Sequence, residues 1–239
     1  MTALALTIKE TGIVEPLGLT WLRDSKFSLI AGTRDGLEEV DGMDGAVDFG
    51  SEFSTGDITL ELISTDGLSK TEINTLRDTV IAYLNQLRDY GTLTWEADPD
   101  KILAIRLNGK PSRDVNILGA FKISIPLTCQ PIWVGETEHT QVGSGTLNNA
   151  GTFETPVIVE IRGPCTNPSV VIGSYTMTYT GSLVSSDILI IDTGALTATF
   201  NGVNALAFNG VFPQLDVGDN TVVAATGGTT IFKWFDSWI

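Results

Sequence analysis

The stretch from Gly119 to Gly163 constrains the fold most, because it joins two strand-like segments through a segment without periodicity. Apolar and polar residues alternate from Phe121 to Ile125, and a mostly apolar run follows from Val157 to Ile161. Both patterns are typical of β-strands, whereas the Gly, Thr, Ser and Asn residues between them are typical of a connection. We therefore predict two β-rich domains, at residues 1–135 and 151–239, with a connector at 136–150.

The two predicted domains differ in charge. Residues 1–135 contain 12 Lys or Arg and 20 Asp or Glu, whereas residues 136–239 contain 2 and 9. The second domain takes its polar surface from Thr, Asn, Ser and Gly instead, which is typical of a β-sandwich with short strands. A formal net charge of −15 argues against a protein that grips duplex DNA, which needs clustered cations. Acidic walls are better suited to a passage through which DNA moves without adhering.

One helix is predicted in the first domain. Ser69 and Glu72 form a capping-box pattern that marks its start, and Gly91 is predicted to end it. Apolar residues recur at spacings of three and four and form one stripe for packing on a sheet: Ile73, Leu76, Val80, Leu84 and Leu87. Because strands are predicted on both sides of this helix, the domain is expected to be antiparallel β with one packed helix, an α+β arrangement.

An acidic, glycine-rich segment lies between Asp35 and Asp57. It is expected to be a solvated long loop or an exposed hairpin, because it is too polar to form core. Its acids lack the spacing of a calcium-binding loop, so no metal site is predicted. These acids are Asp35, Glu38, Glu39, Asp41, Asp44, Asp48, Glu52 and Asp57.

About eight short strands are predicted in the second domain, with glycine turn signals between them, and this spacing indicates a β-sandwich. The strands are predicted at 157–161, 170–172, 175–179, 188–191, 196–200, 205–208, 221–224 and 230–234.

No catalytic or cofactor motif stands out. His139 is the single histidine and falls in the predicted connector, a poor place for a catalytic base. A carboxylate pair for glycoside hydrolysis is left open by the sequence, but no acid/base pair can be located, so we predict a protein that is not an enzyme and binds no cofactor. Cys129 and Cys165 flank the connector; reduced, buried thiols are favoured over a disulfide in a chain without an export signal.

The aromatic residues of the second domain allow two interpretations. They are most simply core residues, but exposed ones would offer a platform for stacking on a sugar. The candidates for glycan stacking are Tyr175, Tyr179, Trp234 and Trp238.

Several segments, taken in order, resemble the distal tail proteins of long-tailed siphophages, which are components of the baseplate hub. In the first domain the resemblance lies in Thr33 to Gly36, Asp48 to Glu52, Asp57 to Leu60, Gly91 to Leu93 and Phe121 to Pro131, where Gln130 replaces the family's aspartate before Pro131. In the second domain it lies in Asn148 to Gly151, Pro156 to Ile158, Ile188 to Thr193, Phe212 to Leu215, Gly218 to Asn220 and Trp234 to Trp238.

This resemblance implies a virion protein at the tail tip, assembled in the host cytoplasm. The first domain would form a homo-oligomeric six-fold ring around the DNA passage, between the tail-tube protein and a tail-associated hub or fibre protein. The second domain would be a galectin-like β-sandwich that projects outward and carries receptor-binding proteins or touches host glycans. DNA would pass without specific binding, and no membrane contact is expected.

A ring of identical subunits needs two different adhesive faces on each subunit. We expect the acidic segment to lie near the lumen or a ring junction through Asp35, Glu38, Glu39, Asp41 and Asp44. Two rival functions remain at this point: a carbohydrate-binding module without catalysis, and a tail-tube-like ring protein.

Overall fold

The computed structural model describes residues 5–9, 13–22, 25–26, 33–39, 46–64, 67–115 and 120–239. Within these ranges the chain is mainly β with a single helix, which confirms the predicted fold class. The chain divides into two compact units, Met1–Trp133 with Ile239, and Val134–Trp238.

Most strands of the first unit belong to one sheet. They are β1 Ala5–Ile8, β2 Ile13–Glu15, β3 Leu19–Trp21, β6 Gly56–Ile63, β7 Gly91–Trp95, β8 Asp98–Leu107, β9 Ser112–Val115 and β10 Phe121–Gly135. Their order is β10-β6-β3-β2-β1-β7-β8, and β10 also pairs with β8, so these strands close into a barrel. β9 pairs with β10, and β1 runs parallel to β7.

The alternation of apolar and polar residues determines which strand faces form the barrel core. Leu6 and Ile8 of β1 and Leu60 and Leu62 of β6 are fully buried, whereas Glu61, between the last two in sequence, is only half-buried. Ile125 of β10 is also fully buried in this core. Period-two burial of this kind is what an antiparallel strand with one face inward requires.

The helix α1, Lys70–Gln86, begins as predicted. The Glu72 N–H donates to Ser69 Oγ at 3.3 Å, and the Ser69 N–H donates to Glu72 Oε2 at 2.8 Å, which completes the capping box. Val80 and Leu84 are buried against the barrel core.

The predicted helix end at Gly91 is wrong. Leu87 is the C-cap, its N–H bonded to the Leu84 carbonyl at 3.1 Å, and Gly91 is already the first residue of β7. The Leu87 carbonyl accepts the Leu107 N–H at 2.8 Å, and its side chain is fully buried. A barrel contact therefore ends the helix earlier than the glycine signal indicates.

Two large sheets make up most of the second unit. The strands, in addition to the last residues of β10, are β11 His139–Val142, β12 Gly145–Asn149, β13 Val157–Arg162, β14 Cys165–Thr166, β15 Ser169–Ile172, β16 Tyr175–Tyr179, β17 Ser182–Leu183, β18 Ile188–Asp192, β19 Thr197–Phe200, β20 Val203–Asn204, β21 Phe208–Asn209, β22 Gly218–Val223, β23 Thr229–Trp234 and β24 Ser237–Trp238. One sheet has the order β11-β23-β13-β18-β19-β20 and the other β12-β22-β15-β16-β21. Residues of both sheets share one hydrophobic core, as in a β-sandwich.

The segment predicted to be a connector contains two strands. β11 pairs with β23 and β12 with β22, so each completes one edge of the sandwich. Leu147 in β12 is fully buried in the core. Polar, Gly-rich residues can form an edge strand when a partner strand supplies the hydrogen bonds. The paired residues are 69–77 positions apart for β12 and 89–95 for β11, beyond the reach of local patterns.

Most of the eight predicted strands are present within a residue or two, but the one predicted at 205–208 is not. Two short strands, β20 and β21, flank a turn there. β14 and β17 pair with each other and were not predicted.

Candidate functional site

The acidic segment of the first unit forms a hairpin. β4, Thr33–Glu39, pairs antiparallel with β5, Ala46–Phe53, and the two form a sheet of their own. The register pairs Arg34 with Glu52 and Glu38 with Val47. Residues 33–53 contain seven acids and one base, so the hairpin is strongly negative. We refer to it as the acidic hairpin.

Three of the five acids predicted at a lumen or ring junction, Asp35, Glu38 and Glu39, lie on β4. Asp41 and Asp44 lie outside the described residues. The position of the set in an assembly therefore stays a prediction.

A groove of about 300 Å³ runs between α1 and the barrel. Its apolar lining includes Ile81, Leu84 and Phe121, and two cations, Arg77 and Arg113, also line it. Ile81 is 48% exposed and Leu84 is buried, so the groove has an apolar floor open to solvent. We refer to it as the α1 groove; the rest of its lining is Asn85, Leu107, Pro111 and Ile123.

Sequence reasoning did not find this groove. The stripe of α1 is predicted to face the core, and Ile81 lies outside this stripe, so the sequence predicts no role for it. An apolar residue beside a complete amphipathic stripe was the available signal. The partner residues on β8, β9 and β10 come together only through the barrel pairing.

A second opening, of about 360 Å³, lies in the second unit and contains one of the predicted aromatic residues. Tyr175, at the start of β16, is 52% exposed there. Glu154, Gln214 and Asp216 bring two carboxylates and an amide to the same opening, and Phe212 lines it. We refer to it as the Tyr175 cleft; Val211 and Pro213 complete its lining.

The loop that lines the Tyr175 cleft is held in place by specific contacts. The Phe212 ring stacks on Phe208 with centroids 5.1 Å apart. Asn220 bonds both the Asp216 N–H, at 2.9 Å, and its carbonyl, at 2.7 Å. Leu215 exchanges two backbone hydrogen bonds with Thr155 at 2.8 and 3.0 Å. The cleft is therefore a preformed surface rather than a product of loop closure.

The other three aromatic candidates lie elsewhere. Trp234 is 7% exposed and donates its indole N–H to the Asn148 carbonyl at 3.0 Å, so it is a core residue. Tyr179 stacks on Phe200 at 5.6 Å and packs against the core. Trp238 is half-buried in β24. Of the four, Tyr175 alone lines the cleft.

His139 lies in β11, and the contacts of its side chain hold the fold together. Its Nε2 is 3.0 Å from Asp236 Oδ2, and its ring stacks on Trp234 at 5.3 Å. Asp236 Oδ1 also accepts the Ala150 N–H at 3.0 Å, and the Asp236 carbonyl accepts the Gly135 N–H at 2.8 Å. This cluster joins the beginning of the second unit to its final strands.

The turn at Asn149 also joins the beginning of the second unit to its final strands. The buried Asn149 side chain donates to the Phe153 carbonyl at 2.8 Å and accepts the Gly151 N–H at 3.1 Å. Gly151 then lies directly against the Ser237 backbone, where a Cβ would collide with the carbonyl. The Asn148 to Gly151 motif quoted from the sequence is thus a fold-forming turn.

Cys129 and Cys165 are free and buried, one in each hydrophobic core. Burial raises the pKa of both thiols. Within the described ranges no three His, Cys, Asp or Glu side chains are grouped to hold a metal ion. No helix in the described part of the chain is long and apolar enough to cross a bilayer.

Comparison with protein-family models matches each unit to a phage-tail domain. Residues 14–129 match the phage tail protein RIFT-related domain, and residues 150–238 match the C-terminal domain of the siphovirus-type tail component. These two domains define a structural protein of a phage tail, a class without enzymatic chemistry. More particularly, the chain belongs to the distal tail proteins of siphophages.

One solved structure supports this fold. The crystal structure of the SPP1 Dit protein, described as a paradigm of the hub adsorption apparatus in phages that infect Gram-positive bacteria, matches with a TM-score of 0.70. The identity is 16%, and the match covers 92% of this chain and 94% of that chain. The phage P2 baseplate in its activated, calcium-containing conformation matches with a TM-score of 0.41 and 12% identity over 91% of this chain and 90% of that chain. The comparison with curated proteins found no match.

Proposed function

We propose that this protein forms a closed, six-fold ring at the distal end of a siphophage tail, with the first unit as the ring-building part. The observation that carries this proposal is the order of the two domains, RIFT-related and then tail-component C-terminal, over most of the chain. A ring of identical subunits also needs two unlike surfaces on each subunit. Candidates for these surfaces in the first unit are the acidic hairpin, which forms a sheet of its own, and the α1 groove.

In this proposal one face of the ring meets the tail-tube protein and the other meets a tail-associated hub or fibre protein. Asp35, Glu38, Glu39, Asp41 and Asp44 lie near the lumen or a ring junction, where negative charge keeps passing DNA from adhering. The second unit projects outward as a galectin-like sandwich that carries receptor-binding proteins or touches glycans. The protein is assembled in the host cytoplasm and functions in the virion.

The mass of the purified chain in solution tests the ring proposal. Light scattering is expected to give a mass near six subunits, and negative-stain images are expected to show closed rings. A chain that stays monomeric at every concentration tested contradicts the ring and favours the carbohydrate-binding module. Rings that stack end to end into tubes favour a tail-tube-like protein.

The Tyr175 cleft supports a second function, binding of a host-surface glycan. An exposed tyrosine ring stacks on the apolar face of a sugar, and the carboxylates and amide of Glu154, Asp216 and Gln214 accept or donate hydrogen bonds to its hydroxyls. Two carboxylates disfavour anionic polymers, so the expected ligand is a neutral saccharide.

Titration with neutral oligosaccharides by calorimetry tests this second function. Tyr175→Ala is expected to weaken binding at least tenfold, and Tyr90→Ala, at a tyrosine of similar exposure in the first unit, is expected to leave it unchanged. If no oligosaccharide binds, or if both variants bind equally well, the cleft is not a glycan site.

A further inference from the structure

The positive charges of the second unit are all engaged at one place. Residues 136–239 contain nine acids but only two cations, Arg162 and Lys233. Both cations bind the same carboxylate, Glu160: the Lys233 ammonium lies 3.1 Å from one of its oxygens, and the Arg162 guanidinium binds the other. The remaining eight acids, all of them within the described residues, therefore have no lysine or arginine of their own unit as a partner.

Two of these acids line the Tyr175 cleft. Glu154 and Asp216 are exposed, and neither carboxylate has a hydrogen-bond or ion-pair partner among the described residues. Asp216 bonds Asn220 only through its backbone N–H and carbonyl, which leaves its side chain free. The lining of the cleft contains no lysine or arginine. The cleft therefore presents two carboxylates whose charge nothing in its lining offsets.

The aromatic part of the same cleft attracts a cation as well as a sugar ring. Tyr175 is about half exposed, and Phe212 also lines the cleft. The face of an aromatic ring stacks on the apolar face of a sugar, and it also attracts a positively charged group. A protonated amine brings a positive charge and three hydrogen-bond donors to nearby carboxylates. A neutral saccharide uses the ring and the hydrogen-bonding groups of the cleft, but it leaves the two negative charges without a counter-charge.

We propose that the Tyr175 cleft binds a saccharide with a free, protonated amine more tightly than the same saccharide without that charge. The inference rests on the proposed glycan-binding function and names the chemical class of ligand that the cleft prefers. The Tyr175 ring stacks on the sugar, while Glu154 and Asp216 accept hydrogen bonds from the ammonium group and from the hydroxyls beside it. Charge-assisted hydrogen bonds are stronger than those between neutral groups, and this difference is the source of the preference.

A matched pair of disaccharides tests this preference by calorimetry. The glucosamine dimer carries free amines, and its N,N′-diacetyl counterpart has the same rings and linkage with both amines acetylated. At about pH 6, where the amines are protonated, the free-amine dimer is expected to bind about five- to tenfold more tightly than the acetylated dimer. The preference is expected to shrink as salt rises. It is expected to disappear at about pH 9, where an amine with the pKa of an α-amino group is uncharged.

Variants show whether the two carboxylates cause the preference, which is read as the ratio of the two dissociation constants. The cleft variant, Glu154→Gln with Asp216→Asn, keeps the shape of both side chains and removes their charge, so the ratio is expected to fall close to one. Each substitution alone is expected to lower the ratio by a smaller factor. The matched control is Glu136→Gln with Glu138→Gln, two exposed acids of the same unit that do not line the cleft, and it is expected to keep the wild-type ratio. Circular dichroism checks that each variant is folded.

The possible failures are distinguishable. If the wild-type chain binds both dimers equally well, the preference is overturned and the glycan-binding function stands. If the free-amine dimer does not bind, the inference is overturned, and if no oligosaccharide binds at all, the glycan-binding function falls with it. Putrescine, a diamine without a sugar ring, is the control for non-specific attraction to an acidic chain. Putrescine binding as tight as that of the free-amine dimer, or a control variant that loses the preference as the cleft variant does, also overturns the inference.

Discussion

Glu160 in β13 is a nearly buried carboxylate that holds two strands of the sandwich together. Lys233 of β23 donates to it at 3.1 Å, and the Arg162 guanidinium binds its other oxygen. Burial by itself raises the pKa of this carboxyl, but the hydrogen bonds and charges of Arg162 and Lys233 outweigh it and leave the pKa below its ordinary value of 4.5. Glu160 thus stabilises the folded state while it is ionised.

Stability is therefore expected to depend on pH through Glu160. Because the folded-state pKa is lowered, the contribution is present above the ordinary pKa of 4.5 and is lost as the pH falls through the folded-state value. At pH 7 Glu160→Gln is expected to cost about 1–3 kcal/mol of unfolding free energy, and the cost is expected to shrink in acid. Urea unfolding at several pH values measures this, with the exposed Glu138→Gln as control. A cost that does not change with pH contradicts this role.

The two thiols are expected to be slow to react in the folded chain. Both are buried, and burial raises the pKa of each, so little thiolate is available at neutral pH. A thiol reagent is expected to label neither cysteine before unfolding and both after unfolding without reductant. Absence of labelling after unfolding would instead show that Cys129 and Cys165 form the disulfide that the sequence left open.

At the level of elements, the start of α1 depends on its capping box. Ser69→Ala removes the acceptor for the Glu72 N–H and is expected to cost about 1 kcal/mol. Thr75→Ala removes a similar hydroxyl within the same helix, where Thr75 bonds only the Thr71 carbonyl, and is expected to be neutral or stabilising. Hydrogen exchange of the α1 amides measures the difference. Equal effects of the two variants would mean that the box does not stabilise the helix.

The close approach at Gly151 gives a sharper prediction for the sandwich. Gly151→Ala places a Cβ against the Ser237 backbone, so β24 must move. This is expected to lower the unfolding free energy by about 1–3 kcal/mol. Gly135→Ala is the matched control, because a Cβ there makes ordinary contacts of 3.5 Å with the Asp236 backbone. Thermal unfolding compares the two variants. A tolerated Gly151→Ala would show that the strand can move without cost.

Local signals explain which elements could be predicted from the sequence. The capping box and the stripe of α1 need only residues within a few turns of one another, and the alternation in β6 and β10 needs only one strand. The edge strands β11 and β12 could not be predicted, because their pairing partners β23 and β22 lie far along the chain. The end of α1 at Leu87 could not be predicted either, because the Leu87 carbonyl bonds the N–H of Leu107, which lies 20 residues further along the chain.

The candidate sites also combine features that are visible in the sequence with features that depend on the fold. The charge of the acidic hairpin and the candidacy of Tyr175 were visible in the sequence, because each is a property of single residues or one segment. The burial of Trp234 and the exposure of Tyr175 could not be predicted from the sequence, because both residues lie on strands with similar patterns. Only the packing of the folded sandwich distinguishes the two. The α1 groove combines residues of a helix and of three further segments, so it required the folded barrel.

For the whole molecule, the two units present different surfaces. The first unit has a closed barrel, a packed helix, a cationic apolar groove and an acidic hairpin outside the barrel. The second unit is a sandwich with few charged residues and a preformed cleft. The proposed ring assigns assembly to the first unit and outward contacts to the second.

A cryo-electron microscopy reconstruction of the assembled protein is the most direct test of this assignment. We expect a closed ring of first units, with the Tyr175 cleft on the outside. The acids from Asp35 to Asp44 are expected at the lumen or at a ring face. A ring built by contacts between second units, or one that places these acids entirely on its outer rim, would contradict the proposal.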